Sequence, residues 1–200
     1  MTGRNTFGML VAVIVLILVM GTVAMFVVNK AQQSRADLPV IAQIGELEFV
    51  DQDGELFTQE DMLGNVSVVA FMFTRCPGAC PVMAGYLDEI YEVYKAVPNV
   101  QIVSISVDPE YDDPETVKTY LLERGVETDT WVYLTGPLKD VVAVCEQQFL
   151  LAAEELPGGH STRFALVDHR GQIRGYYDGM ERGSVEVLKT HLSILAGQIP

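Results

Sequence analysis

The stretch Arg75-Cys76-Pro77-Gly78-Ala79-Cys80-Pro81 sets two thiols four residues apart, each followed by proline. Such a pair can hold a metal, exchange electrons, or close a disulfide. The chain carries 3 cysteines in all. An odd number cannot pair completely within one chain, so a disulfide scaffold is a poor fit and a reactive or metal-binding pair plus one spare is a better one. Two thiolates with one imidazole suit Cu(I), whereas a closed structural zinc site usually wants a fourth ligand.

In thioredoxin-type sites two residues separate the cysteines, and the first thiol precedes a helix whose dipole stabilises its thiolate. Here three residues intervene. Pro77 and Pro81 lack an amide hydrogen, and Pro81 would interrupt a helix begun at Pro77, so the spacing predicts a loop over 77–79 and a helix from Pro81. Both thiols would then lie at or before the helix N-terminus, and Gly78 would let the loop bring the sulfurs together.

A third ligand must come from elsewhere. His160 stands in the loop "PGGHSTRF", His169 in a turn, and His191 on a helix flank, and the residue pattern alone does not choose among them. Cys145 falls on the apolar face of its own segment and reads as a small buried hydrophobe. Met83 reads as packing, while Asp108 and Asp112 read as a strand end and a helix start.

The elements that would position these groups follow from periodicity. "ELEFVDQDGELF" alternates around Asp53-Gly54, an N-terminal β-hairpin leading to a short helix that Thr58 can cap. "VSVVAFMF" (66–73) is a strand buried on both faces, with the cysteine stretch at its C-terminal end, where open parallel sheets place functional groups. A helix bearing Leu87, Ile90, Tyr91 and Tyr94 comes next, then the buried strand "VQIVSISV" and a helix that Asp113 and Pro114 begin. "TWVYL" is a third strand, and "PLKDVVAVCEQQFL" is helical with Leu138, Val141, Val142, Cys145 and Phe149 on one side. "TRFALVD" and "QIRGYYD" make a hairpin before a last helix that buries Val185, Leu188, Leu192 and Leu195. The order describes an α/β fold, a mostly parallel sheet with one antiparallel edge and helices on both faces.

The formal charge of −14 opposes phosphate backbones and argues against nucleic-acid binding. Phe7 to Val28 runs 22 residues without a charge, long enough as a helix to cross a hydrocarbon layer of about 30 Å. A single transmembrane anchor over 7–28 fits this run better than a cleaved signal peptide, whose apolar region is shorter. Residues 1–6 form a short tail, 29–44 a tether, and 45–200 the globular domain. Arg4 on one side and Lys30 and Arg35 on the other leave the orientation undecided by charge.

Taken together, "FTRCPGACP", "SVDPEYDDP", the glycine-flanked His160 ahead of the "FALVDHRGQI" hairpin, and the N-terminal anchor resemble the SCO/SenC copper-chaperone family. The likeness runs from about Gly45 to Gly197. It implies a thioredoxin-like fold, copper as the metal, and Cys76, Cys80 and His160 as its ligands. It further implies a role in assembling the binuclear copper centre of cytochrome c oxidase, with the copper-site subunit as partner and a copper donor or thiol reductant upstream. The implied location is the bacterial inner membrane, with the C-terminal domain in the periplasm. Gly159 stands where the family often has aspartate, and Tyr111 where arginine is common. A second reading uses Cys76 and Cys80 as a catalytic redox pair, in a thiol-disulfide oxidoreductase that keeps the oxidase cysteines reduced.

Overall fold

The computed structural model describes residues 3–36, 38–127, 129–153 and 156–199; in the first helix the side chains of 3–7, 10 and 27–36 are outside the described set. The chain divides into two compact units, Met1–Leu38 and Pro39–Pro200. The first holds α1 (Gly3–Ala36), and its described side chains, at 8, 9 and 11–26, are all exposed. Among the described residues no helix is long and apolar enough to cross a membrane. The expected 7–28 span is helical, but the side chains of 7, 10, 27 and 28 lie outside the described residues.

The second unit runs through β1 (Ala42–Gln43), β2 (Glu48–Val50), β3 (Leu56–Thr58), β4 (Val66–Met72), α2 (Ala79–Tyr94), β5 (Val100–Ser106), α3 (Pro114–Glu123) and β6 (Trp131–Leu134). It ends with α4 (Leu138–Ala143), β7 (Arg163–Val167), β8 (Gln172–Asp178) and α5 (Arg182–Ala196). Six strands form one sheet in the order β1-β8-β7-β4-β5-β6, and β2 and β3 form the predicted hairpin apart from it. All seven residues of β4 and all seven of β5 are buried, so both faces of the sheet centre are covered. That is why both strands read as mostly apolar runs with a few small or polar residues and no charge.

The sheet is less parallel than the element order suggests. β4, β5 and β6 run parallel, but β7 pairs antiparallel with β4, β8 with β7, and β1 with β8. Parallel neighbours need long crossovers, which α2 and α3 supply, whereas β7 turns straight back into β8. At that turn Asp168 accepts the amides of Arg170 and Gln172, and Gly171 takes φ +74°, a left-handed conformation that glycine adopts without a steric penalty. The compact unit also begins before Gly45: residues 39–44, assigned above to the tether, belong to it, and Ala42–Gln43 pair with Ile173 and Gln172. Two residues are too few to announce a strand by periodicity; edge pairing alone makes one.

The segment after β6 departs from a regular helix as well. α4 is six residues long and passes into a π-helical turn, Val144–Gln148. Val144 and Cys145 are buried in this turn, whereas in α4 Leu138 is 41% exposed and Val142 is half-buried, so two of the residues expected on the buried side are not on it. Cys145 is the small buried group expected, its Sγ 3.5 Å from the Leu151 carbonyl. Two helices match expectation: Asp113 caps α3 by accepting the Thr116 amide at 2.8 Å, and α5 buries its four predicted residues.

Beneath the sheet's functional end, Trp131 Nε1 donates to Ser104 Oγ at 3.0 Å, and that hydroxyl contacts Met72 Sδ at 3.4 Å, all three residues being fully buried. Ser104→Ala leaves the indole N–H without a partner, and a cost of about 1–3 kcal/mol is expected. Urea unfolding checks this as a lower midpoint with an unchanged slope.

Candidate metal centre

Cys76 and Cys80 come from the turn between β4 and α2. The strand delivers Phe73 to the carboxyl edge of the sheet, and the Cys76 amide turns back to the Phe73 carbonyl at 3.4 Å. α2 starts at Ala79, with Gly78 as its N-cap, rather than at Pro81. Cys80 therefore sits inside the first helical turn and not ahead of it. Pro81 is accommodated because amides of the first turn have no intrahelical acceptor to lose.

Of the three histidines the fold brings one to this pair. The Sγ atoms of Cys76 and Cys80 and a ring nitrogen of His160 lie within 4.8 Å of one another. Cys80 Sγ is 3.5 Å from His160 Nε2. His169 is instead at the β7–β8 turn, 3.3 Å from Arg170 Nε, and His191 meets the Tyr177 hydroxyl at 2.7 Å. Met83 is fully buried, as its packing role requires.

His160 is held in three ways. Its backbone bridges Ala153, its ring meets Phe73 edge-on at a centroid distance of 5.7 Å, and its Nδ1 lies 3.1 Å from the Ser161 carbonyl oxygen. A carbonyl only accepts, so this bond requires the proton on Nδ1 and leaves the Nε2 lone pair facing Cys80. Two residues past His160 the loop is tied as well: the Gly179 amide donates to the Thr162 carbonyl at 2.8 Å, and a Cβ at Gly179 would lie 2.6 Å from that oxygen. Only glycine permits this approach of the β8 end to the histidine loop.

A carboxylate network behind the cysteines went unread in the sequence. Asp112, fully buried, accepts the Thr74 amide at 3.1 Å, the Thr74 hydroxyl, and the Ser106 hydroxyl at 2.6 Å. Beside it Asp108 takes a two-pronged bond from Arg75, with Nε at 2.6 Å and Nη2 at 3.2 Å. The Arg75 guanidinium lies 4.5 Å over the Tyr111 ring. The two residues just before Cys76 are thus fastened to the loop after β5. In the sequence the two aspartates fit simple turn punctuation, and beyond that they stand out only within the family-like stretch "SVDPEYDDP".

The two thiols differ electrostatically. Burial pushes Cys80 up to about 12, and a backbone contact from Phe73 offsets only part of this. Burial also opposes ionisation of Cys76, yet hydrogen bonds from the Cys80 backbone and thiol and from the Gly78 and Ala79 amides together hold it below the ordinary thiol value. The Gly78 amide reaches its sulfur at 3.4 Å. A thiol near the sheet edge is thus poised to ionise, and one behind it keeps its proton until a stronger electrophile or a metal displaces it.

At pH 9, the ordinary thiol value, Cys76 should be mostly thiolate and Cys80 still protonated. Iodoacetamide is expected to modify Cys76 first, with the Cys80 adduct appearing only as pH climbs toward about 12. Peptide mass mapping of the reduced chain checks the order, and equal rates would contradict it. Asp112→Ala strips three donors of their acceptor in the core and is expected to cost about 3 kcal/mol. It should also bring the Cys76 alkylation rate back toward that of a free thiol.

Comparison with known proteins places nearly the whole second unit in one family. Residues 37–194 match the sequence profile of the SCO1/SenC family. The SCO1 protein homolog of Bacillus subtilis is 30% identical over 149 residues, covering 72% of this chain and 77% of the relative. The structure of BsSco, described as a member of the Sco family of cytochrome c oxidase assembly proteins with a disulfide switch, superposes with a TM-score of 0.70 at 25% identity, covering 81% of this chain and 97% of that one. Copper-bound ScoI of Bradyrhizobium japonicum gives a TM-score of 0.61 at 25% identity, covering 75% and 99%. A shared sequence profile over most of the chain, the same fold and a converging Cys-Cys-His trio lead to one assignment: the chain belongs to the SCO1/SenC family.

Proposed function

We propose that this protein is a membrane-anchored copper chaperone that delivers copper to the binuclear copper site of cytochrome c oxidase during assembly. Cys76 and Cys80 bind as thiolates and His160 through Nε2 as a neutral imidazole. The observation that carries the reading is the convergence of these three donors within 4.8 Å, with the imidazole lone pair already turned toward Cys80. First-row metal bonds of about 2.0–2.3 Å place donors around one ion roughly 3.5–4 Å apart at trigonal angles, so the Cys80–His160 separation of 3.5 Å suits a shared ion. Two soft sulfurs and one nitrogen favour Cu(I), which tolerates a three-donor set. The metal is cargo, and the chain's own part is to present donors, keep Nδ1 protonated and exclude competing ligands by burying Cys80.

Copper-bound ScoI and the oxidase-assembly role named for BsSco support the cargo and the receiver. The anchor reading is supported by the uncharged 7–28 run and by the exposed apolar side chains along α1, a surface that water does not favour. On this reading the chain spans the bacterial inner membrane once, holds its C-terminal domain in the periplasm and receives copper from an upstream donor. Tethering would confine the search for a membrane partner and raise effective concentration without new contacts.

The unequal thiols favour a second activity for the same pair. The Cys76 thiolate attacks a partner disulfide, and Cys80 then displaces the partner thiol, leaving a Cys76–Cys80 disulfide and two reduced partner cysteines. An upstream thiol reductant restores the pair. This chemistry uses no imidazole.

The deciding experiment is an anaerobic titration of the reduced protein with Cu(I) against a competing chelator. One tight equivalent is expected, abolished in Cys76→Ala and weakened at least tenfold, about 1.4 kcal/mol, in His160→Ala. Affinity should fall as pH drops, because protons compete with the metal for the two sulfurs. Weak binding indifferent to His160 would overturn the chaperone and leave the thiol reductase.

A further inference from the structure

Three depressions on the second unit join end to end and start beside the metal centre. The first, about 550 Å³, is walled by Thr74 and Arg75, the residues just before Cys76, and by α3. It shares Asp113 with the second, about 460 Å³. The second shares Val50, Thr135, Gly136 and Pro137 with the third, about 830 Å³, which runs along β2 and α4.

The trench has a distinct chemistry along its length. Its middle is apolar, made by Pro109, Pro114, Pro137, Val50 and Leu138, the last 41% exposed. Three prolines hold their backbone torsions fixed, so this section is formed before anything binds. Carboxylates line the rest. Glu110 and Asp113 rim the middle, Glu115 and Glu123 the end beside Arg75, and Glu46, Glu48, Glu60 and Asp140 the far end. Among the described lining residues Arg75 is the one cation, and Asp108 already holds it in a two-pronged bond.

We infer that this trench is the docking surface for an extended peptide segment of the copper-receiving partner, one with apolar side chains flanked by lysine or arginine. Apolar contacts in the preformed middle would fix the register, and the acidic ends would select the charge and speed encounter. The segment's path would lead past Thr74 and Arg75 to the cysteine loop, aligning the receiver with the metal. As a partner surface the trench rests on the proposed function, but its test reads peptide binding without copper, so either can fail alone.

The probe is a fluorescein-labelled nonapeptide with a central Leu-Pro-Leu flanked on each side by lysines, and a counterpart with glutamates in their place. Anisotropy is followed with the full chain in nanodiscs of uncharged lipid, empty discs serving as blank. The lysine peptide is expected to bind and the glutamate peptide to stay free. The double variant Glu110→Lys, Asp140→Lys should weaken binding at least about tenfold, and Leu138→Ser should weaken it at unchanged charge. Glu92→Lys, Glu186→Lys alters net charge equally but lies on α2 and α5 outside the trench, and should weaken binding less than about threefold. Equal loss in both double variants would show diffuse attraction to an acidic protein and overturn the proposal, as would a wild-type chain that leaves the lysine peptide free.

Discussion

The buried carboxylate of Asp112 is the interaction on which the rest of the site depends. It takes three hydrogen bonds, two from Thr74 and one from Ser106, and so joins the end of β5 to the turn that carries the cysteines. A carboxylate in the core is tolerated only when its acceptors are filled. Once filled, it resists displacement, because any shift of the loop exposes unpaired donors as well as the charge. The position of Cys76 is therefore set by a network in the layer below it, and a loop containing Pro77 and Gly78 acquires one conformation.

The same layering explains why two cysteines four residues apart behave differently. Cys80 belongs to the first turn of α2, where helix packing surrounds its sulfur and burial favours the thiol. Cys76 stays in the loop, half-exposed, with several donors aimed at its sulfur. A one-ended arrangement of this kind serves metal capture and thiol exchange alike: the outer sulfur engages first, and the inner one commits when its proton is displaced.

The third donor shows how a departure from a family pattern can be met locally. Gly159 occupies the place where an aspartate would orient the histidine ring, and here the Ser161 carbonyl sets the tautomer instead. Tyr111, where arginine is common, lays its ring against the Arg75 guanidinium, which also pairs with Asp108. The first contact is made within the histidine loop, and the second ties the loop after β5 to the cysteine turn.

Much of this was legible in the chain itself. Largely apolar runs identified β4 and β5, the Asp113-Pro114 pair placed the start of α3, the three- and four-residue spacing named the buried face of α5, and the twin cysteines marked the site. These features are local: they depend on side chains a few residues apart, whose spacing already states which face is buried or which torsion is allowed. What only the tertiary structure decided is long-range. His160 and Cys80 are eighty positions apart, and sheet pairing brings their donor atoms to 3.5 Å while sending His169 and His191 elsewhere. The pairing of β7 against β4, the strand at Ala42–Gln43, the π-helical turn at Val144 and the burial of Asp112 are of the same kind. Each is fixed by partners distant in the chain, and no periodicity within a window can report a partner that lies outside it.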